Sequence, residues 1–168
     1  NVTFLVDTGP AATVPALARG LESLSVKHLD CILLTHIHID HAGGTGDLLE
    51  RYPDAPVVLH ASGIKHMADP ARLWEGSLKT LGDTVRAYGP IRPVPETLLR
   101  DVDGFSEHGI RSVPTPGHAQ HHVSYLYDSI LFAGEAGGIR PYTGEDELYL
   151  RPATPPRFIY EISMGSLD

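Results

Sequence analysis

Residues 35–44 read Thr35-His36-Ile37-His38-Ile39-Asp40-His41-Ala42-Gly43-Gly44, which places three histidines and one aspartate within six positions. The apolar run Cys31-Ile32-Leu33-Leu34 comes directly before them and predicts a buried strand that ends at the histidines. The two glycines then allow the backbone to turn sharply. Imidazole and carboxylate groups are zinc ligands, and they also suit iron and manganese. The stretch therefore predicts a metal site at a strand end.

The composition is that of an ordinary soluble globular protein, with 168 residues, 42% hydrophobic and 20% charged. We expect one domain across residues 1–168. The formal net charge of −8 argues against nucleic acid as a partner. No apolar run approaches the ~18 residues of a membrane span. Cys31 is the single cysteine, so no disulfide is implied and we expect a cytoplasmic location. The sequence leaves the oligomeric state open.

Strand and helix patterns alternate in the first half of the chain, and strand patterns dominate later. The predicted strands cover residues 2–6, 29–34, 56–59, 97–99, 110–113, 123–127 and 130–133. An Asp103-Gly104 turn separates the fourth strand from the fifth, and the last two form a hairpin. An apolar stripe predicts one continuous helix through residues 70–88, and another helix begins near Ile159. The fold class is α+β.

Further polar residues follow other predicted strands. His118 comes after a stiff Thr115-Pro116-Gly117 loop, and Glu135 follows the last strand of the hairpin. In extended backbone a His-x-His pair points both imidazoles to one side, so His36 and His38 can hold one ion together. Asp40 and His41 lie beyond the bend and can face a second metal position nearby. An acid such as Glu135 could bridge two ions.

These motifs resemble those of the metallo-β-lactamase superfamily. The His-x-His-x-Asp-His pattern of residues 36–41 is similar to the superfamily signature. Asp7-Thr8-Gly9 resembles an early turn of the family, Thr115-Pro116-Gly117-His118 its second ligand loop, and Phe132-Ala133-Gly134-Glu135 its bridging-acid strand. Residues 150–156 are similar to the glyoxalase-II-like hydrolases of this superfamily.

The resemblance implies an αββα sandwich, here incomplete at both termini, that binds two divalent metal ions. Zinc is expected, with iron or manganese as alternatives. The implied ligands are His36, His38 and His118 for the first ion and Asp40 and His41 for the second, with Glu135 between them. Two features depart from the family. Its bridging acid is usually aspartate, whereas Glu135 stands here, and it supplies a last histidine ligand from a later strand, whereas no histidine follows His122 in this sequence. His121 or His122 could substitute, although each is expected to be a supporting or surface residue.

The implied activity is that of a metallo-hydrolase, in which a metal-bound hydroxide attacks an ester, thioester or similar bond. Asp40 would orient the nucleophile and move a proton, while Asp7 could support a ligand imidazole, cap the turn in which it stands, or do both. Residues 139–158 are expected to form a substrate-side loop, and a small thioester is the leading substrate class. The candidate substrate-binding residues are Arg140, Tyr142, Tyr149, Arg151 and Arg157. The alternatives are a non-catalytic or degenerate metal-binding member of the fold and, less favoured, a nuclease or a di-iron electron-transfer protein.

Overall fold

A computed structural model describes residues 2–138 and 159–166 of the chain. Within these ranges the strands form two sheets. The first is parallel, in the order β1-β2-β3-β4, and consists of β1 (Phe4–Val6), β2 (Cys31–Leu33), β3 (Val57–Leu59) and β4 (Leu99–Asp101). The second is antiparallel and consists of β5 (Ile110–Pro114), β6 (Val123–Tyr127) and β7 (Ile130–Phe132).

Helices connect the strands of the parallel sheet, and one more helix lies near the end of the described chain. They are α1 (Val14–Ser23), α2 (Ile39–Ala42), α3 (Thr45–Leu48), α4 (Ala61–Ala68), α5 (Ala71–Leu81), α6 (Asp83–Tyr88) and, near the end of the chain, α7 (Tyr160–Gly165). Within the described ranges, no helix is long and apolar enough to cross a membrane.

The strand residues alternate between two cores, which produces a layered arrangement. Ile32 and Leu59 pack with α1 and α4 side chains on the helix-covered face of the parallel sheet. Leu33 and Val58 point the other way and pack against Tyr125 of the second sheet. Helices, parallel sheet and antiparallel sheet therefore form successive layers, as expected when each sheet buries its apolar face.

Several parts of the chain differ from the pattern predicted from sequence. The single helix predicted over residues 70–88 is two helices, because Gly82 has a positive φ of 57° and breaks it. Leu81 consequently stands at a helix end and is 38% exposed instead of buried in the stripe.

The strands on either side of the Asp103-Gly104 turn belong to different sheets. The 3-10 helix Glu96–Leu98 replaces most of the predicted strand at 97–99, and β4 begins only at Leu99. β4 pairs with β3, whereas β5 pairs with β6. The 3-10 helix Val102–Gly104 therefore carries the chain from one sheet to the other. The predicted hairpin of β6 and β7 is confirmed, with pairing from Tyr125–Phe132 to Tyr127–Ile130.

Tyr125 joins the two sheets at the end of β2. Its side chain is fully buried, and its hydroxyl lies 2.8 Å from the carbonyl oxygen of Leu34 and 3.3 Å from that of Val58. Leu34 directly precedes Thr35 and His36, so this hydrogen bond anchors the point at which the histidine stretch begins.

We predict that Tyr125→Phe lowers the free energy of unfolding by about 1–2 kcal/mol, because a buried carbonyl loses its hydrogen-bond donor. Urea denaturation followed by circular dichroism measures this change. Tyr127→Phe is the matched control, since Tyr127 is only half-buried in the same strand. Equal effects of the two substitutions would contradict the anchoring role of the Tyr125 hydroxyl.

Candidate metal centre

Four side chains from three separate segments meet beyond the end of β2. His36 and His38 follow β2, His118 lies in the loop between β5 and β6, and Glu135 follows β7. Each offers one ligand atom, and these four atoms all lie within 4.8 Å of one another. Nε2 of His118 is 2.7 Å from Nδ1 of His38 and 2.7 Å from Oε2 of Glu135. The sequence predicted this convergence, and the fold brings these residues together.

Burial sets the protonation of this cluster. It lowers the pKa of His36 to about 2 and that of His38 to about 3, with neighbouring histidines reinforcing the shift at His38. Burial opposes ionisation of Glu135, but the hydrogen bond from His118 and the nearby His36 and His41 imidazoles outweigh it and lower its pKa. The cluster thus presents neutral imidazoles at His36 and His38 beside the ionised carboxylate of Glu135. Metal ions require that same protonation state of their ligands.

A buried nitrogen of His36 indicates that the four-residue group suits a cation. Nε2 of His36 is 3.5 Å from Oε2 of Glu135 and finds no hydrogen-bond partner in the part of the chain that the structure describes. A buried polar atom without a partner costs about 1–3 kcal/mol. A divalent ion would accept this lone pair, and three imidazoles with one carboxylate are a donor set that zinc, iron and manganese accept. The residues therefore fit a metal ion.

Asp40 and His41 lie in the single-turn helix α2, close to Glu135. Nε2 of His41 is 3.7 Å from Oε2 of Glu135 and 3.9 Å from Oδ2 of Asp40. The Glu135 carboxylate thus faces both sets of residues. The Asp40 side chain is 45% exposed, so it opens towards solvent. Among the described residues, the group whose ligand atoms all lie within 4.8 Å of one another contains neither Asp40 nor His41.

Asp7 organises the histidine stretch from the end of β1. Its carboxylate accepts hydrogen bonds of 2.8 Å from the backbone N–H and the hydroxyl of Thr35, and a third from Nδ1 of His41. Because a carboxylate only accepts, the proton of His41 is on Nδ1 and Nε2 faces Glu135. Burial would lower the pKa of His41, but the hydrogen bond and charge of Asp7 outweigh it and raise that pKa.

The turn after Asp7 also contacts the histidine stretch. The backbone N–H groups of Thr8 and Gly9 both donate to the carbonyl oxygen of His41, and that of Gly44 donates to the carbonyl oxygen of Gly9. A side chain at Gly44 would come within 2.4 Å of Val14, so only glycine fits there. The Asp7-Thr8-Gly9 turn and the paired glycines therefore fit together around α2.

His121 and His122 make contacts that the sequence did not reveal. Nε2 of His121 accepts a hydrogen bond from the backbone N–H of Ile37 at 3.2 Å, and Nε2 of His122 accepts one from the backbone N–H of Glu135 at 3.1 Å. Neither residue joins the four-residue group. Their position just after His118 was the only sign in the sequence that they lie near the site, since a contact with a backbone N–H produces no recognisable residue spacing. The five candidate substrate-binding residues and the loop 139–158 lie outside the described residues.

The chain matches the metallo-beta-lactamase superfamily over residues 1–168. It belongs to that superfamily. The α+β class and the fold implied by the motifs are confirmed by this match and by solved structures. A metallo-beta-lactamase fold-containing protein, ST1585 from Sulfurisphaera tokodaii, is 31% identical over 99% of this chain, and its crystal structure superposes with a TM-score of 0.81. The BLEG-1 B3 metallo-beta-lactamase is 26% identical, with a TM-score of 0.65 over 98% of this chain and 72% of its own.

Glyoxalase-II-like relatives are also present, as the motifs implied. The hydroxyacylglutathione hydrolase of Aeromonas salmonicida is 34% identical over 80% of this chain. The chain spans 63% of the length of ST1585 and 42% of that hydrolase.

We predict that Asp7→Asn lowers zinc affinity by about 10- to 100-fold, because the Asp7 carboxylate orients His41 and the backbone at Thr35. Asparagine tolerates the positive φ of 55° at this position, so the turn itself should persist. Competition with a chromophoric chelator measures the affinity. Asp30→Asn is the control, since Asp30 also accepts a backbone N–H, from Thr3, but precedes β2. Unchanged affinity in Asp7→Asn would refute this role.

Proposed function

We propose that this protein is a metal-dependent hydrolase that cleaves an ester, thioester or similar bond in a small molecule. One observation carries the proposal: a single carboxylate oxygen of Glu135, Oε2, lies 2.7 Å from Nε2 of His118, 3.5 Å from that of His36 and 3.7 Å from that of His41. A single acid that faces two sets of ligands is the arrangement that a two-ion hydrolytic centre needs.

The proposed ligand assignment is the one that the motifs imply, and these distances support it. His36, His38 and His118 would hold the first ion, and Asp40 and His41 the second, with Glu135 shared between them. We expect zinc in both positions, with iron or manganese as alternatives, because imidazole and carboxylate ligands suit all three. Glu135 is one methylene longer than the usual aspartate, and its carboxylate nevertheless comes within 3.7 Å of all three facing imidazole nitrogens.

Divalent ions in such a centre polarise a substrate oxygen and lower the pKa of bound water toward ~7. The protein's own groups supply orientation and proton transfer. Asp7 fixes His41 so that its Nε2 points into the site. Asp40 stands at the solvent-facing side of the site, where its carboxylate can take a proton and return it to the leaving group.

A small acyl thioester is the proposed substrate class. A relative named hydroxyacylglutathione hydrolase, 34% identical to this chain, supports it. On sequence grounds, Arg140, Arg151 and Arg157 would bind an anionic acyl group, and Tyr142 or Tyr149 would donate to an oxyanion. The net charge of −8 disfavours a nucleic-acid substrate. A cytoplasmic location is part of this proposal.

A non-catalytic metal-binding protein is the second candidate function. The observation that favours it is the thin ligand set at the second metal position, where Asp40, His41 and Glu135 are the residues in reach among those that the structure describes. Metal content without turnover would support this candidate. A di-iron electron-transfer protein is less favoured, because such a protein is expected to carry an acid at the position of His38.

We predict that the purified protein contains stoichiometric zinc, iron or manganese, and that His38→Ala loses the first ion, because one of its three imidazole ligands is removed. Elemental analysis measures both contents. His28→Ala is the control, since the His28 side chain is 67% exposed and lies next to Asp30, which precedes β2. Wild-type protein without any of these metals after incubation with them would contradict the metal centre.

We predict that Asp40→Asn lowers kcat for a small acyl thioester by about 10²- to 10⁴-fold, since general acid–base catalysis typically contributes this much. Occupancy of the first ion should persist, because His36, His38 and His118 are unchanged. A chromogenic thiol assay and elemental analysis measure the two quantities. Asp54→Asn, at an exposed position before β3, should leave kcat unchanged. Wild-type kcat in Asp40→Asn would exclude the proton-transfer role.

A further inference from the structure

One short segment, residues 121–123, contacts each of the other two segments that contribute to the four-residue group. Nε2 of His121 accepts the backbone N–H of Ile37, the residue between His36 and His38. The backbone N–H of Val123 donates to the carbonyl oxygen of Thr35 at 2.8 Å. Nε2 of His122 accepts the backbone N–H of Glu135. His118 precedes this segment by three residues, so all four residues of the group are connected through it.

The hydrogen bonds of His122 determine where its proton lies. Because Nε2 accepts the Glu135 N–H, the proton of the neutral ring is on Nδ1, which is 2.8 Å from the Thr115 hydroxyl oxygen. That hydroxyl then donates to Ser124, 2.9 Å away, and the Ser124 hydroxyl donates to the carbonyl oxygen of Ala133 at 3.1 Å. The chain of hydrogen bonds begins and ends on the turn that carries Glu135. Both ring nitrogens of His122 are therefore occupied.

The fit around His122 is tight. The ring is almost fully buried, and Gly134 has a φ of +55°. A β-carbon at Gly134 would come within 2.6 Å of Nε2 of His122, so the backbone lies directly against the ring. His121 lies near the ligand imidazoles, with its ring centroid 6.0 Å from that of His38. Neither ring can move far without displacing a residue of the four-residue group.

We propose that His121 and His122 are paired positioning residues. Each accepts one backbone N–H, from Ile37 and Glu135 respectively, and together they fix the separation between the His-x-His pair and the Glu135 carboxylate. In this role they act through the backbone and do not bind the metal themselves. The inference rests on the proposed metal centre, because its consequence is a site arranged before the ion arrives.

The test compares substitutions that remove or retain the acceptor. His121→Leu and His122→Leu remove it, whereas His121→Gln and His122→Gln place an amide oxygen near the position of Nε2. His28→Leu is the control, at an exposed histidine that precedes β2. All five variants and the wild-type chain are titrated with Zn²⁺ against a chromophoric chelator. The visible absorption spectrum of the Co²⁺-loaded proteins and the thermal unfolding of the metal-free proteins are recorded in parallel.

We expect each leucine variant to bind Zn²⁺ about 10- to 100-fold more weakly than the wild type and to show an altered Co²⁺ spectrum. The Zn²⁺ affinity of the glutamine variants should stay within about three-fold of the wild-type value, because the amide oxygen of glutamine can still accept the backbone N–H. Wild-type affinity in both leucine variants would overturn the proposal. Glutamine variants as weak as the leucine variants would also overturn it, since ring packing alone would then explain the loss.

Thr115→Val covers the case in which His122→Leu fails to fold. It keeps the ring but removes the acceptor of the Nδ1 proton, and we expect a several-fold loss of Zn²⁺ affinity with an altered Co²⁺ spectrum. An unchanged affinity and spectrum in Thr115→Val would overturn the role of His122. A wild-type chain that binds no Zn²⁺ would refute the proposed function itself, whereas tight wild-type binding with unaffected variants would refute only the positioning role.

Discussion

The junction between the end of β2 and the start of β6 is the contact on which the rest of the structure depends. Here the Tyr125 hydroxyl reaches the carbonyl of Leu34, and the Val123 N–H reaches the carbonyl of Thr35. These bonds join two sheets of different type at the residue where the histidine stretch begins. Together with the packing of Leu33 and Val58 against Tyr125, they hold the carboxyl ends of the parallel strands beside the loops of the antiparallel sheet.

Electrostatics explains why this junction carries acids and imidazoles together. Burial disfavours protonated imidazole, so His36 and His38 are neutral, and the ionised Glu135 beside them is stabilised by the surrounding imidazoles. At His41 the pKa is raised instead, because the hydrogen bond and charge of Asp7 outweigh the effect of burial. The site therefore contains histidines in two different electrostatic settings around the Glu135 carboxylate.

The sequence predicted the parts of this arrangement that leave a local pattern. The stretch from Thr35 to Gly44 indicated the strand end and the ligands, and the hairpin of β6 and β7 followed from its turn. Other features depend on tertiary contacts that no spacing records. The helix break at Gly82 depends on a positive φ that the sequence does not show. The segment between β4 and β5 has the sequence of a turn within one sheet, although the two strands belong to different sheets. The amide contacts of His121 and His122 are likewise invisible without the packed backbone.

The four residues of the metal-binding group come from segments nearly 100 positions apart, since His36 and Glu135 enclose most of the described chain. The group exists only when both sheets are formed and packed, so an unfolded chain offers no comparable site. An ion bound there would favour the folded state by mass action, by about 4 kcal/mol at a free concentration 1,000 times the Kd. Metal supply would then set how much of the chain is folded, as well as how much is active.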